Sequence, residues 1–419
     1  MSRGVVAAGA LVAAAVCVAQ VDGLKVAFLG DSETGENARR NYALAREAGA
    51  DVMFQNGDFD YESDPELFDT FLDEELGDML FLACSGNHDD ETLSTLFSGG
   101  RKWEGKGGYK ERFFDRYNEY LAGGNPGVNV TCVPREGKTL EEDFGSYMSC
   151  RVNNVEFVTI GWRQFSGSVL FSGGDRLTSQ QFIESSLDAT DALWKVLVTH
   201  RPDGNLNPGV NHVGTYQTQG DFNLAAKYGA LLVHGHSHVY ARSKLIDNFY
   251  SLKVSPNEDP FSIALNCGES ASIINGMGGT DIDGAGIHEE ASILTKIYTA
   301  NSGNNQNGVV ICDFTDEGAA GCEFIMQNGE VFDAFAVLAP PPSEICRNTT
   351  VEVRPISFDF ENELKNFYLV IGPVGATLVV LTLLCCGVSL CCIVKRVRRR
   401  LMVASQSSQI SNRKYQNLL

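Results

Sequence analysis

Short apolar runs and longer segments of helical spacing alternate along the first part of the chain. The apolar runs are Leu24 to Leu29, Val52 to Gln55 and Met79 to Ala83. Between them, Glu36 to Ala48 has helical spacing, and a second such segment begins near Pro65. This pattern predicts strand, helix, strand, helix, strand. Such alternation favours an α/β fold, in which helices cover a sheet.

A similar unit recurs later in the chain. Helices are predicted for Ser179 to Leu187 and Phe222 to Tyr228, and strands for Trp194 to Thr199 and Ala230 to His234. Beyond Lys244 the pattern changes to short strands and turns. The predicted domain covers residues 24–339, and the proline run that begins at residue 340 is expected to start a stalk over residues 340–366.

Two long apolar segments flank this domain. Residues 1–23 contain Arg3 followed by an apolar stretch from Val5 to Ala19, the order of a secretory signal peptide. Residues 367–394 carry no charge, so they are expected to form one C-terminal transmembrane helix, and a buried core helix is the alternative. The basic cluster after residue 394 favours a cytoplasmic tail over residues 395–419.

This topology predicts a single-pass type I membrane protein whose main domain is extracellular or luminal, at the cell surface or in a vacuole or lysosome. Disulfides persist in such compartments. Cys132 with Cys150 and Cys312 with Cys322 are close enough in sequence to be pairs, although connectivity stays open, and Cys84 is expected to be a buried thiol.

Other surface features follow from the same topology. Asn129 and Asn348 begin glycosylation sequons, so the chain is expected to be a glycoprotein. Tyr415 to Leu418 resembles a sorting motif that a cytoplasmic adaptor would bind. The formal net charge of −20 argues against nucleic acid as a partner, because a phosphate-binding surface is basic.

Polar residues with metal-binding side chains follow five of the predicted strands. Because strands of an α/β sheet present their carboxyl ends at one edge, these side chains are expected to converge there. They are Asp31, Asp58, Asn87 with His88, His200, and His236 with His238. Carboxylate, amide and imidazole groups in this number suit two transition metals. The alternative is ordinary capping and turn chemistry at strand ends.

Five sequence motifs contain these residues. The motifs are Gly30-Asp31, Gly57-Asp58-Phe59-Asp60-Tyr61, Gly86-Asn87-His88-Asp89, His200 and Gly235-His236-Ser237-His238-Val239-Tyr240-Ala241-Arg242. In combination they resemble the calcineurin-like metallophosphoesterases. Tyr61 and the His238 to Arg242 ending resemble the purple acid phosphatases (tartrate-resistant acid phosphatase type) within that family. The resemblance covers roughly residues 24–338 and implies a four-layer α/β/β/α sandwich of two mixed sheets.

The resemblance also implies the ligands of two metal ions. One ion, expected to be Fe³⁺, would be held by Asp31, Asp58, Tyr61 and His238. The second, expected to be Zn²⁺, Fe²⁺ or Mn²⁺, would be held by Asn87, His200 and His236, with Asp58 bridging both. A hydroxide between the metals would attack phosphorus. His88 would contact the phosphate and protonate the leaving group, and His212 is nominated as a further catalytic histidine.

One position departs from the family pattern. Residue 33 is Glu, where the superfamily has a histidine ligand and the purple phosphatases usually have glycine. Glu33 either ligates the first metal, in place of Tyr61 or beside it, or lies in solvent. Alternatives also remain for Tyr61 as an ordinary half-buried tyrosine and for His212 as a bystander. His234 is expected to be structural and His288 solvated.

The predicted function is a metal-dependent phosphoric ester hydrolase of the acid phosphatase type, acting on phosphomonoesters outside the cytosol. A phosphodiesterase or nucleotide hydrolase is an alternative, because the same metal pair serves both reactions. A surface receptor or adhesion module with a degenerate site is the alternative from outside the enzymes.

Overall fold

The structure is a computed structural model that describes a large part of the chain. The described residues are 23–62, 64–89, 103, 106–124, 127–162, 175–204, 206–209, 219–285 and 292–354. Apart from Gly23, the predicted signal peptide lies outside them. The predicted transmembrane helix and tail also lie outside them, as do His212, His288 and the sorting motif. In this described portion, no helix is both long enough and apolar enough to span a bilayer.

The first sheet has seven strands and mixed direction. The strands are β1 Leu24–Leu29, β2 Val52–Gln55, β3 Leu80–Ala83, β12 Ser262–Ala264, β15 Gly308–Phe314, β16 Ala319–Met326 and β17 Val331–Leu338. Strands β1, β2 and β3 run parallel, and β3 is at one edge of the sheet. The antiparallel strands β15, β16 and β17 extend the sheet on the other side of β1, and β12 lies parallel to β17 at the far edge.

The second sheet has eight strands, which are β4 Val130–Pro134, β5 Tyr147–Val152, β6 Val155–Ile160, β7 Trp194–Thr199, β8 Leu231–His234, β9 Tyr240–Ser243, β13 Ser272–Asn275 and β14 Leu294–Tyr298. Their order across the sheet is β14-β9-β13-β8-β7-β6-β5-β4. Strands β6, β7, β8 and β13 are parallel, and the outer pairs are antiparallel. Strands β10 (Ile246–Asn248) and β11 (Lys253–Val254) form a small separate ribbon.

Helices pack against both sheets. In chain order they are α1 Glu36–Glu47, α2 Pro65–Glu75, α3 Tyr109–Gly123, α4 Leu140–Asp143, α5 Asp175–Ala189, α6 Gln219–Lys227 and α7 Ser343–Cys346. Helix α3 contacts β3 in the first sheet, whereas α5 and α6 contact β6 and β8 in the second. This arrangement buries apolar helix residues such as Phe68, Phe113 and Phe222.

The main core lies between the two sheets. Phe157 of the second sheet meets Phe54 and Phe28 of the first, with ring centroids 5.3 and 6.3 Å apart, and all three side chains are fully buried. Burial of aromatic side chains in this number dominates the stability of such a core. The prediction of an α/β fold with two mixed sheets is therefore confirmed.

Most of the predicted elements occur within a few residues of the expected bounds. The sequence pattern gave no assignment for residues 109–160, where the structure has α3, α4 and the antiparallel strands β4, β5 and β6. Strand β6 is buried along its whole length, and β4 alternates buried and exposed positions only in part. Neither pattern has the clean period of two that identifies a strand in a sequence.

The two disulfides that were predicted from a short separation in sequence are present in the structure. Cys132 pairs with Cys150, and Cys312 pairs with Cys322. Cys84 is a buried free thiol, as expected.

The chain after the proline run requires a correction. Cys346 forms a disulfide with Cys267, and Arg347 pairs with Asp188. The compact unit continues to Arg354, so the stalk does not begin at residue 340. The proline run turns the chain back onto the domain, because buried Cys346 is covalently attached there.

Candidate metal centre

Five loops at the carboxyl ends of parallel strands deliver the candidate metal ligands. Three loops belong to the first sheet, where β1, β2 and β3 are neighbours, and two belong to the second, where β7 and β8 are neighbours. The site therefore lies where the two sheets meet, as expected for a ligand crevice in an α/β fold.

Several backbone positions in these loops are left-handed. Asp31 has φ 58°, Asp58 has φ 52° and His236 has φ 66°. Asp and His enter this region more readily than most residues, but each instance still costs on the order of 1–3 kcal/mol. Backbone hydrogen bonds hold the loops in place: Asp31 N donates to Gly57 O at 3.0 Å, and His236 N donates to Asp31 Oδ2 at 2.7 Å. Strain of this kind is concentrated at functional sites.

Two glycines let the loops approach one another. A Cβ at Gly86 would lie 2.1 Å from Asp58 Oδ1, and a Cβ at Gly57 would lie 2.5 Å from His200 Nδ1. Gly57 also has φ +95°. Both contacts are far inside van der Waals distance, so any side chain here would displace a candidate ligand.

Asp31, Tyr61 and His238 form one group of donor atoms, here called the tyrosine cluster. The Tyr61 hydroxyl lies 3.1 Å from Asp31 Oδ1 and 2.8 Å from His238 Nε2. The distance from His238 Nε2 to Asp31 Oδ1 is 3.6 Å. His238 Nδ1 lies 2.9 Å from the Asp281 carbonyl oxygen, which orients the imidazole with Nε2 toward the cluster.

Asp58, Asn87, His200 and His236 form the second group, here called the amide cluster. His200 Nε2 lies 3.2 Å from Asp58 Oδ2 and 3.1 Å from Asn87 Oδ1. The donor atoms of Asp58, His200 and His236 all lie within 4.8 Å of one another. His200 Nδ1 is 2.8 Å from the Asn56 carbonyl oxygen, so its other nitrogen faces the cluster.

Both clusters have spacings that suit a metal ion. Ligands about 2.1 Å from one ion and at right angles to each other are about 3.0 Å apart. The separations of 2.8, 3.1 and 3.6 Å in the tyrosine cluster fall around this value. The separations of 3.2 and 3.1 Å in the amide cluster do so as well. The residues present therefore fit two metal ions.

Charge interactions among the candidate ligands are strong because the groups are buried. Burial raises the pKa of Asp58, but the His200 imidazolium outweighs burial and leaves that pKa at about 2. Burial lowers the pKa of His200, but the Asp58 carboxylate raises it to about 9. Burial and the Asp31 carboxylate raise the pKa of Tyr61 well above its usual range. A metal would have to displace protons at both clusters.

The other predicted site residues have varied positions. His88 lies at the site: its ring centroid is 4.6 Å from that of Tyr61, and its backbone N–H donates to Asp58 Oδ1 at 2.8 Å. His234 is fully buried, and its Nδ1 forms a hydrogen bond of 2.8 Å with the Thr199 hydroxyl group. Its burial lowers its pKa to about 3, which agrees with the expected structural role.

Glu33 lies beside the tyrosine cluster in a left-handed conformation with φ 62°. Its carboxyl group is partly buried, and burial together with Asp281 raises its pKa, whereas His238 lowers it. Glu33 is therefore close enough to influence His238 electrostatically.

The two glycosylation sequons lie on the surface, where Asn129 and Asn348 are exposed.

Sequence reasoning missed one buried supporting carboxylate. Asp89 accepts hydrogen bonds from the backbone N–H groups of Asp58 at 2.9 Å and Gly86 at 2.6 Å through Oδ2, and from Phe59 at 3.0 Å through Oδ1. It thereby fixes the loop that presents Asp58. The only indication in the sequence that Asp89 lies at the site was its position directly after His88 in the third motif.

Sequence reasoning also missed an aromatic contact at the amide cluster. The Trp162 ring is stacked near the His236 ring at 6.3 Å, and the Arg201 guanidinium lies 3.9 Å from the Trp162 ring centre. Arg201 directly follows His200 in sequence, and this was the only indication that it lies near the site.

Comparison with known proteins agrees with these motifs. The sequence model of the calcineurin-like phosphoesterase family matches residues 24–240. Among curated proteins, none matches the sequence significantly.

Two solved structures are similar in fold. A purple acid phosphatase, PPD1 from yellow lupin (Lupinus luteus) seeds, has a TM-score of 0.50 at 17% identity, over 76% of this chain and 54% of that chain. GAP50, the anchor in the inner membrane complex of Plasmodium, has a TM-score of 0.48 at 12% identity, over 76% of this chain and 89% of that one. The chain thus spans about half the length of the lupin protein, and the likeness to that protein, at 17% identity, shows the fold alone.

Proposed function

Because this chain belongs to the calcineurin-like phosphoesterase family, we propose that it hydrolyses phosphomonoesters at a two-metal site built from the tyrosine and amide clusters. The observation that carries the proposal is the convergence of seven donor side chains from both sheets into two groups, each with the spacing of a metal site. Family membership alone implies a metal-dependent phosphoester hydrolase. The preference for phosphomonoesters is not implied by the family. It rests on the resemblance of Tyr61 and the His238 motif to purple acid phosphatases.

The ligand roles in this proposal follow the two clusters. Asp31, Tyr61 and His238 would hold the first ion, which the phenolate donor favours as Fe³⁺. Asn87, His200 and His236 would hold the second, as Zn²⁺, Fe²⁺ or Mn²⁺. Asp58 would belong to both, because its Oδ2 lies beside His200 while its charge also acts on Tyr61.

When bound, two such ions supply an activated water and neutralise the phosphoryl oxygens. His88 lies beside Tyr61 with its backbone held by Asp58, so its imidazole is placed to hold a proton for the leaving alkoxide. Asp89 keeps the Asp58 loop in its left-handed conformation through three backbone hydrogen bonds. Preorganisation of this kind keeps the donors fixed during the reaction.

The proposal places the enzyme outside the cytosol on a single membrane anchor. Three disulfides support an oxidising compartment, where such bonds persist. The exposed sequons at Asn129 and Asn348 support the same compartment. Loss of mass on glycosidase treatment of the protein from its native cells would be expected. A protein that remains unglycosylated and fully accessible to cytosolic protease would contradict the location and leave the enzyme proposal intact.

The enzyme proposal is tested with purified full-length protein. We expect elemental analysis to give about two metal ions per chain, as in two-metal phosphoesterases. Phosphate should be released from a phosphomonoester faster than product forms from a phosphodiester, with chelation abolishing both activities.

Three results would change the proposal. A preference for the diester would identify a phosphodiesterase or nucleotide hydrolase at the same site. A metal-loaded protein without activity on either ester from acid to neutral pH would favour a receptor or adhesion role. A protein that binds no metal would refute the site itself.

A further inference from the structure

Arg201 differs from the other arginines whose side chains the structure describes. Each of the others lies within 4.0 Å of a carboxylate, in pairs such as Arg242 with Asp333 and Arg135 with Asp143. Arg201 has no such carboxylate partner among the described residues, and its Nε is buried without a hydrogen-bond partner there. A partly buried guanidinium without a counterion is costly unless an anion completes it.

The position of Arg201 follows from the second sheet. Strands β6 and β7 are parallel and pair Ile160 with Thr199 at their carboxyl ends. Two residues further along each strand, Trp162 and Arg201 lie side by side, with the guanidinium 3.9 Å from the indole ring centre. The Trp162 backbone N–H donates to Ser85 O at 2.9 Å, which anchors the indole next to the loop that carries Asn87.

This contact leaves the arginine available to an anion. Stacking uses one face of a guanidinium, whereas its N–H groups donate within the plane. Trp162 lies beside His236, and Arg201 directly follows His200, so both members of the stacked pair are next to a candidate ligand of the amide cluster. Bidentate recognition of phosphate oxygens is the interaction for which arginine is best suited.

We propose that Arg201 binds a non-bridging oxygen of the substrate phosphate beside the amide cluster, and that Trp162 is the positioning residue that holds its guanidinium there. This inference rests on the proposed function, because it assigns the phosphate of the same site. It adds a guanidinium to the metal ligands and His88 of the proposed site. The part of the substrate that Arg201 recognises is the phosphate group itself and not the leaving group.

The test measures the affinity of the metal-loaded full-length protein for inorganic phosphate by calorimetry. Arg201→Met, which keeps an apolar stem, is expected to weaken phosphate binding roughly 10- to 100-fold, the range for a lost charge-assisted hydrogen bond. Arg201→Lys should recover part of this loss, because lysine keeps the charge without the planar fork. In turnover assays, KM should rise by more than kcat falls, and metal content should remain that of the wild type.

Trp162 variants separate positioning from general packing. Trp162→Phe should stay within about threefold of the wild-type phosphate affinity, because it retains an aromatic face, whereas Trp162→Leu should weaken binding by more than Trp162→Phe. Arg135→Met is the matched control. Its guanidinium also stacks 3.9 Å from a ring, that of Tyr147, but is paired with Asp143, so phosphate affinity should not change.

Because phosphate affinity is measured without turnover, this inference and the proposed function can be tested separately. Wild-type phosphate affinity retained in Arg201→Met and Arg201→Lys, with both variants folded and metal-loaded, would overturn the role of Arg201 and leave the hydrolase proposal unaffected. A wild-type protein that binds phosphate through Arg201 but hydrolyses no ester would support the inference while refuting the enzyme. Loss of metal in Arg201→Met, with Arg201→Lys fully normal in phosphate affinity, would assign Arg201 a purely structural role.

Discussion

The two donor clusters of the candidate metal centre differ in chemistry although they share one crevice. The tyrosine cluster combines a carboxylate, a phenol and one imidazole, with Glu33 and Asp281 nearby. The amide cluster combines a carboxylate, an amide and two imidazoles, with Trp162 and Arg201 nearby. Hard anionic donors favour a trivalent ion, whereas imidazole and amide donors favour divalent transition metals. The donor groups therefore predict a different ion in each cluster. Metal binding at the two clusters should also respond differently to pH and to mutation.

The largest effect is expected where the two clusters meet. Asp58→Asn should lower metal content from two ions to about one or fewer and reduce kcat by roughly 100- to 1,000-fold or more, because charge stabilisation at the reacting group is lost. Elemental analysis and initial rates measure this. Asp143→Asn is the matched control, since Asp143 is equally buried but pairs with Arg135 elsewhere. Two tightly held ions in Asp58→Asn would show that Asp58 does not bridge.

The second largest effect is expected from a fall in pH, which should weaken Zn²⁺ binding to a different extent at the two clusters. His200 has a pKa raised to about 9, so below pH 9 it holds a proton that a metal must displace. The pKa of Tyr61 is raised well above its usual range, so a metal at the tyrosine cluster must displace its phenolic proton throughout this range. The pKa of His238 is also raised, mainly by the Asp31 carboxylate, so a second proton is displaced increasingly as the pH falls. Between pH 8 and 6, affinity for Zn²⁺ should therefore fall about tenfold per pH unit at the amide cluster and more steeply at the tyrosine cluster.

This pH prediction is measured with protein stripped of metal by a chelator. Zn²⁺ titrations at several pH values, with the protons released counted in weakly buffered solution, give one slope for each site. Equal slopes for the two sites would contradict the difference in proton occupancy.

A smaller and more specific effect is expected from Tyr61→Phe. Loss of the phenolate should remove a visible tyrosinate-to-iron absorption band and reduce kcat by about tenfold, since one donor to a multiply held ion is lost. Tyr109→Phe is the matched control, because the Tyr109 hydroxyl also donates to a buried carboxylate, that of Asp60. A colourless wild-type protein that is fully active would retain the hydrolase and exclude iron as the ion of the tyrosine cluster.

The smallest effect is expected from Glu33→Gln. Glu33 influences His238 through charge but is not among the donor atoms that converge. Activity and metal content should stay within about twofold of the wild type, as for most changes of a partly exposed charge. Glu62→Gln, a neighbouring acidic residue, provides the comparison. Loss of one metal in Glu33→Gln alone would make Glu33 a ligand of the tyrosine cluster.

The candidate ligands can be nominated from the sequence because each one lies in the loop that follows a short apolar strand. A motif such as Gly57-Asp58 contains both the turn and the ligand, so local pattern is sufficient. The resemblance sorted these residues into two ligand sets, and the structure brings the members of each set together. Which ions they hold is a matter for the experiments above.

Other contacts depend on the registers of distant strands and cannot be predicted locally. Trp162 meets Arg201 only because Ile160 pairs with Thr199 in the second sheet. The pairing of Cys267 with Cys346 spans 79 residues, and an odd number of cysteines left several connectivities open. The proline run indicated the end of the domain, but proline constrains only local backbone, so the return of the chain to the domain was missed.

The Cys267–Cys346 disulfide also determines how a mechanical load would enter the domain. Tension applied to the chain beyond Arg354 would first break the contacts of the last residues, such as the hydrogen bond from Asn223 to Glu352. It would then reach a covalent bond at Cys346 and pass to Cys267, bypassing the hydrogen-bonded edge of β17. The edge formed by β17 would therefore be spared peeling from its carboxyl end.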